Sequence, residues 1–298
     1  MKVVIDTDPG TDDAIALMMA LSCPDLDVQG LTTVGGNASL ARTTRNALRL
    51  LDYLGRSDMP VSRGSARPLR GRFRYADYFH GPSGLTVRLP SPRSEPRPLR
   101  APDYITSLAY SFPGELAVIA LGPLTNLARA IATEPRVSDW IREVIVMGGA
   151  VEVPGNITSH AEFNVYNDPL AADRVFSSDI PVTLVGLDVC NCVTVERGQT
   201  GWPEGQFRSA SLARRILAGW FATHPEQDSY NLCDPTAIVA AVRPDLLNFR
   251  EAMVSVETRD SARQGNTTAV YGRGNVRVAS GIDAGASKEL IESLVAGA

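Results

Sequence analysis

Short apolar runs recur along the chain, each followed by a segment of helical composition. KVVID (2–6) ends abruptly in DPG, and DDAIALMMAL (12–21) then carries acids in its first turn, where a helix dipole favours them. VQGLTTV (28–34) precedes a helix-like stretch at 39–54, and ELAVIALG (115–122) runs into PLTNLARAIA (123–132). EVIVMGG (143–149) and PVTLVGLD (181–188) repeat the strand signal. Strands rich in Val, Ile and Leu that alternate with helices predict an α/β fold with a mostly parallel central sheet, covered by helices on both faces. Residues 252–257 and 267–279 read as a pair of strands before a final helix at 285–296. No internal repeat or low-complexity linker interrupts this order, which points to a single domain over residues 1–298.

One stretch breaks the rhythm. Residues 63–100 hold nine arginines and six prolines, with the aromatics confined to Phe73–Phe79. Prolines break helices, so this region reads as a solvated excursion between a strand and a helix rather than as a basic binding strip. Within it FHGPSGL (79–85) is a Gly-rich turn suited to a mobile flap.

Composition narrows the function classes. With 29 Lys+Arg against 33 Asp+Glu the chain carries a formal charge of −4, without the basic surplus of a general nucleic-acid binder. No apolar run reaches the roughly 18–20 residues that span a bilayer, and MKVVIDTDPG is too acidic for a signal peptide. Cys23, Cys190, Cys192 and Cys233 form neither a disulfide framework nor a C-x-x-C zinc pair, and Cys190 and Cys192 are expected on one face of a strand. A cytoplasmic protein is the expectation. Only Lys2 and Lys288 are lysines, which weighs against any mechanism that needs a central one.

In open α/β sheets ligands bind beyond the carboxyl ends of the strands, so residues just after each strand matter most. The first strand is followed by Asp6, Asp8, Asp12 and Asp13. Two carboxylates 4 Å apart repel by about 4 kcal/mol at an effective dielectric of 20, so such a cluster must be solvated, partly protonated or neutralised by a cation. Ordinary turn and N-cap roles account for Asp12 and Asp13 but poorly for Asp6 and Asp8. Oxygen ligands suit calcium or magnesium, whereas zinc would want His or Cys. Further strand ends offer Asn37, the carbonyls of Leu121-Gly122, and Gly148-Gly149. NITSHAEFNVYNDP (156–169) gathers Asn156, His160, Glu162, Asn164, Asn167 and Asp168, a density of amides and acids suited to a sugar.

DTDPGTDDA resembles the aspartate-rich fingerprint of the inosine-uridine-preferring type of nucleoside hydrolases, which release a free base from a ribonucleoside. The resemblance continues, in family order, through TTVGGN (32–37), FHGPSGL (79–85), ALGPLTNLA (120–128), VMGGA (146–150), GNITSHAEFN (155–164) and DPTA (234–237). It implies a single α/β domain with a Rossmann-like core, commonly assembled into homodimers or homotetramers. It also implies a calcium ion held by Asp8, Asp13, Asp234 and the Leu121 carbonyl, with Asp8 doubling as the base for a calcium-bound water. Asp12, Asn37, Asn156, Glu162 and Asn164 would hold the ribose, Met147 would line that pocket, and His80 would lie on the substrate from the flap. An oxocarbenium-like transition state fits such carboxylates, which stabilise positive charge as it develops on the sugar.

The chain departs from the family in one place. Many members have His before the last aspartate ligand as a leaving-group acid, whereas this chain reads Asn231-Leu232-Cys233-Asp234. Cys233 is either a weak proton donor or a small packing residue. His80, His160 and His224 are candidate substitute acids, and Trp220, Phe221 and Tyr230 are candidates to stack on a base. Base contacts are expected from loops at about 73–85 and 222–232. Two rivals are a magnesium-dependent phosphatase of the haloacid dehalogenase type and a calcium-dependent nucleoside- or ribose-binding protein with little turnover. The first uses D-T-D at a strand end but needs a downstream lysine, for which only Lys288 is available; Cys233 keeps the second open.

Overall fold

Val3 and Ile5 pack into one hydrophobic core and Val4 into another, as alternate residues of a strand buried on both faces must. The computed structural model describes residues 1–199 and 208–297. Strand β1 (Lys2–Thr7), helix α1 (Thr11–Ser22), β2 (Asp27–Thr33), α2 (Leu40–Leu54) and β3 (Val61–Arg63) form the first part of the fold. The Arg-rich excursion then holds the short helix α3 (Asp77–His80) before α4 (Ala101–Ser111). β4 (Leu116–Ala120), α5 (Thr125–Thr133), α6 (Val137–Trp140) and β5 (Glu143–Met147) continue the alternation, followed by α7 (Phe163–Asn167), α8 (Pro169–Phe176) and β6 (Val182–Val185). Next come α9 (Leu187–Cys190), β7 (Thr194–Glu196), α10 (Arg208–Thr223), β8 (Ser229–Asn231) and α11 (Cys233–Val242). β9 (Leu247–Val256), β10 (Thr267–Tyr271), β11 (Val276–Ile282) and α12 (Ala284–Val295) close the described chain.

The main sheet has nine strands in the order β10-β9-β11-β6-β5-β4-β1-β2-β3. It is parallel except at β9, which runs antiparallel to both β10 and β11. From β1 the chain winds outward one way through β2 and β3, then returns to lay β4, β5 and β6 on the other side. The order therefore reverses between β1 and β4, and the carboxyl ends of both strands open at that crevice. β7 and β8 form a separate antiparallel pair.

Two local expectations are corrected. The stretch expected as one strand at 267–279 is two, broken by a turn in which Gly272 takes φ +127°, and the preceding strand begins earlier, at Leu247. Cys190 and Cys192 do not share a strand face. The chain turns at Gly186 into α9, so Cys190 is buried at the end of that helical turn and Cys192 is exposed just past it.

The excursion is less solvated than its composition suggests. Phe73, Leu85 and Leu89 are buried. Its backbone is fastened where Leu69 N–H donates to Asp168 (2.8 Å) and Arg74 N–H donates to Asn167 Oδ1 (2.7 Å). Toward its end Arg97 N–H donates to the Val61 carbonyl at 2.7 Å, and Asp52 accepts from Arg93 and Ser94. No helix among the described residues is long and apolar enough to cross a membrane.

Candidate active site

Asp8 lies at the reversal point, immediately after β1, and is fully buried. Its Oδ2 accepts from Asn37 N–H at 2.5 Å, while its Oδ1 has no hydrogen-bond donor. The carboxylate fits only because the chain beside it is glycine: a Cβ at Gly36 would stand 2.0 Å from Oδ2 and one at Gly122 2.2 Å from Oδ1. Asp13, in the first turn of α1, accepts from four donors: Thr7 Oγ1, Asp8 N–H, Gly10 N–H and Asn37 Nδ2. That set fixes the DTDPG loop on the helix start and matches the roughly four acceptor sites of a carboxylate, so a cation at Asp13 would share an oxygen with one of these donors.

Asp12, Asp13 and Asp234 place carboxylate oxygens within 4.8 Å of one another. This grouping contains Asp12, which the resemblance assigns to ribose, and does not contain Asp8. Burial is the main force raising the pKa of all four aspartates, and repulsion from neighbouring carboxylates adds to it at Asp8, Asp13 and Asp234. Asp6, one strand residue deeper, is raised to about 7 by burial although Thr32 and Asn126 donate to its Oδ1. An all-oxygen donor set, an unpaired buried oxygen at Asp8 and carboxylates driven together fit a hard divalent cation.

These groups floor a cavity of about 290 Å³. Asp12, Asn37, His80, Leu121, Met147, Asn156, Glu162, Asn164, Cys233 and Asp234 all line it, with Asp8 and Asp13 enclosed behind. No lysine or arginine lines it among the described residues. Glu162 caps α7: it accepts from Asn164 N–H at 2.8 Å and from Gly149 and Val165 N–H at 3.0 Å each. Burial raises its pKa against the pull of those donors. Asn164 Nδ2 donates to the Leu121 carbonyl (2.8 Å), joining the sugar-type loop to the end of β4. The rest of that loop serves a different purpose. Asn167 and Asp168 face away from the cavity and anchor the excursion, and His160 is exposed.

An adjoining wall is aromatic and amide-rich, and its Tyr230 reaches the acidic cluster at Asp12. Phe79 stacks on Tyr230 with centroids 5.9 Å apart and meets Trp220 edge-on at 5.2 Å. Trp220 and Tyr230 line the cavity, whereas Phe221 and His224 stand behind Trp220. Trp220 Nε1 and the Tyr230 hydroxyl are buried without a well-formed hydrogen bond. Burial, with the nearby charge of Asp12 next, pushes the Tyr230 phenol well above its ordinary pKa. Tyr78, Gln227 and Asn231 also line the cavity, from the two loops expected to meet a base, whereas Asn191 lies outside both and was missed. Asn231 Nδ2 donates to Asn191 Oδ1 at 2.9 Å, pairing the end of β8 with the loop after α9. Cys233 touches the buried Cys190 thiol; that contact first, and burial second, raise its pKa well above the usual thiol value.

A cavity lined by carboxylates and amides beside an aromatic wall accommodates a polyhydroxyl group joined to a flat ring. Comparison with known proteins agrees. The family model described as inosine-uridine preferring nucleoside hydrolase matches residues 3–289. The chain is 38% identical to uridine nucleosidase 1 of Arabidopsis thaliana over 87% of its own length and 79% of the relative's. It is 36% identical to the pyrimidine-specific ribonucleoside hydrolase RihA of Citrobacter koseri, covering 91% of this chain and 88% of that one. Among solved structures, the plant nucleoside hydrolase PpNRh1 superposes with a TM-score of 0.93 at 35% identity, covering 99% and 98% of the two chains. A purine-preferring ribonucleoside hydrolase from Gardnerella vaginalis gives 0.94 at 27% identity, covering 100% and 98%.

Proposed function

Because the chain belongs to the inosine-uridine preferring nucleoside hydrolase family and is an enzyme of that kind, we propose that it is a calcium-dependent ribonucleoside hydrolase that accepts pyrimidine ribonucleosides, uridine among them. The observation that carries this reading is the cavity itself, where an oxygen-only acidic cluster adjoins an aromatic, amide-rich wall. Uridine is favoured because relatives at 36–38% identity are named for uridine or pyrimidine nucleosides.

Asp8, Asp13, Asp234 and the Leu121 carbonyl would hold the ion, with Asp12 close enough to join them. Bound there, a hard dication would lower the pKa of a water and fix the sugar diol. The residues of the chain account for the remaining steps. Asp8 Oδ1, buried and unpaired, accepts the proton of the attacking water. Asp12, Asn37, Asn156 and Asn164 bind the ribose hydroxyls. The Glu162 carboxylate, held by three backbone N–H groups, faces the positive charge that develops as the glycosidic bond breaks. Phe79, Trp220 and Tyr230 pack on the base and exclude water, and His80 donates a hydrogen bond to it. Cys233 remains a neutral thiol that packs beneath the base. A homodimer or homotetramer is the proposed assembly, on the resemblance to the family.

The deciding experiment incubates the metal-loaded protein with a panel of purine and pyrimidine nucleosides and, separately, with phosphate esters. Release of free uracil from uridine, abolished by a chelator and restored by calcium, is the expected result. Free phosphate without free base would favour the phosphatase, and nucleoside binding without turnover would favour the binding protein.

A further inference from the structure

Helix α2 carries Arg42, Arg45 and Arg49 at positions i, i+3 and i+7, on one face and in its N-terminal two-thirds. Arg42, in the first turn, opposes the helix dipole, and the three cations repel one another, so helix stability does not explain them. Among the described residues no ion pair engages Arg45 or Arg49, and the nearest acid on the helix, Asp52, is taken up by Arg93 and Ser94. Among the described residues Arg42 is the one of the three with an acidic partner, Asp77, at 3.8 Å. The Nε of Arg49 is buried with no acceptor. A buried guanidinium donor left unpaired is costly, and an anion supplies what it lacks.

There is room for one. A cavity of about 250 Å³ is lined by Arg42, Arg45, Asn46, Arg49, Pro82 and Ser83. A second, of about 390 Å³, shares Asn46, Arg49 and Ser83 with it and adds Arg88 beside Leu85, Val87 and Leu89. No acidic residue lines either one among the described residues. A recess lined by several arginines and by no carboxylate suits a phosphate, which accepts several N–H donors at once. The apolar continuation accommodates an organic group attached to that phosphate.

We propose that this groove, on the opposite side of the flap from the active site, binds the phosphate group of a small metabolite and acts as an effector site. The floor of the groove reaches the catalytic loop. Asn46 Nδ2 donates both to the Ser83 carbonyl (2.8 Å) and to the Pro9 carbonyl (3.1 Å), one residue after Asp8. Asp77, the partner of Arg42, opens the helix that ends at His80. An anion that draws Arg42 away from Asp77 and presses on Ser83 therefore acts on the flap and on the acidic loop together.

Titration calorimetry on the metal-loaded enzyme, freed of excess metal and held at constant ionic strength, tests this with inorganic phosphate and with a nucleoside 5′-monophosphate. One saturable site for phosphate is expected, weakened at least ten-fold by Arg45→Gln with Arg49→Gln, with kcat on nucleoside in the absence of phosphate unchanged. Arg45 is exposed, so Arg45→Gln alone serves if the double variant fails to fold. A nucleotide that binds more tightly than phosphate, with the gain lost in the variant, identifies a phosphorylated metabolite as the source; equal affinities identify phosphate itself. The nucleoside KM should shift at least two-fold on saturation. No saturable phosphate binding, or binding that the substitutions leave unchanged, overturns the site, and a constant KM overturns its effector role.

Discussion

The backbone N–H of Thr11 donates to Nδ1 of His80 at 3.1 Å, so that ring nitrogen is an acceptor and the imidazole proton sits on Nε2. The same burial that makes this bond possible lowers the His80 pKa to about 4. His80 is thus a neutral ring with one fixed donor, held by the first residue of α1, next to the acidic cluster.

His80→Ala is therefore expected to reduce kcat on uridine by about 10²-fold, the lower end of what one positioned proton or hydrogen-bond donor contributes. The pH profile of kcat should show no limb between pH 5 and 8 that disappears in the variant. A limb that does disappear would mean that His80 titrates in turnover and acts as an imidazolium.

Cys233 provides the complementary test. With its thiol held protonated by Cys190 and burial, Cys233→Ala should keep kcat within about ten-fold of the parent, whereas loss of a general acid costs about 10²–10⁴. A loss of that size, with nucleoside affinity intact, would assign proton donation to the thiol.

Glu162→Gln removes a charge but keeps a side chain of the same shape. If the carboxylate acts on the charge that develops during bond breaking, kcat should fall by about 10²–10³ with little change in KM. A raised KM with kcat retained would place Glu162 in ground-state ribose binding.

Linkage makes the metal visible in stability. Asp6 titrates near 7 in the folded protein, and the unfolded value is about 3.9. A carboxyl raised on folding contributes its full stability below the unfolded value and loses it as pH rises through the folded one. The cluster carboxylates are shifted in the same direction. The metal-free protein should therefore melt at a lower temperature at pH 8 than at pH 5, and calcium should recover more at pH 8. At a concentration 100 times Kd the ion adds about 2.7 kcal/mol. A Tm indifferent to both pH and calcium in thermal melts would count against the site.

Gly122→Ala asks whether the close wall around Asp8 matters. A Cβ 2.2 Å from Oδ1 must displace the carboxylate, at an overpacking cost of about 1–3 kcal/mol. Calcium-dependent stabilisation and turnover should both be lost while the metal-free protein still folds. Full calcium response in the variant would show that Asp8 is not needed where it stands.

Much of this was legible from pattern alone, for reasons that differ along the chain. β1, β2, β4, β5 and β6 declared themselves because strands buried on both faces are continuous apolar runs, and their ends pointed to Asp8, Asn37 and Leu121, whereas Met147 came only with the family resemblance. Glu162 and Asn164 stood out as polar density, but Asn167 and Asp168 of the same stretch anchor the excursion, a distinction that only the turn geometry of α7 and α8 makes. Asn191 gave no signal, and Asn231 only that of its loop. They are forty residues apart, one just before β7 and the other at the end of β8, three-residue strands too short to show a period, and they meet only in space.

The anchoring of the excursion has a consequence for how the enzyme diversifies. The stretch that carries His80 is an arch with both footings set in the body, at Asn167 and Asp168 on one side and at Asp52 and Val61 on the other. The opposite bank, with Asn191, Gln227 and Asn231, rests on the small β7–β8 pair outside the main sheet. In the proposed reading, sugar chemistry is thereby tied to strand ends that cannot shift without disturbing the core, and the base is met by an appendage outside the main sheet. On that reading, changes in which base is accepted accumulate on that bank while the acidic part of the pocket stays as it is.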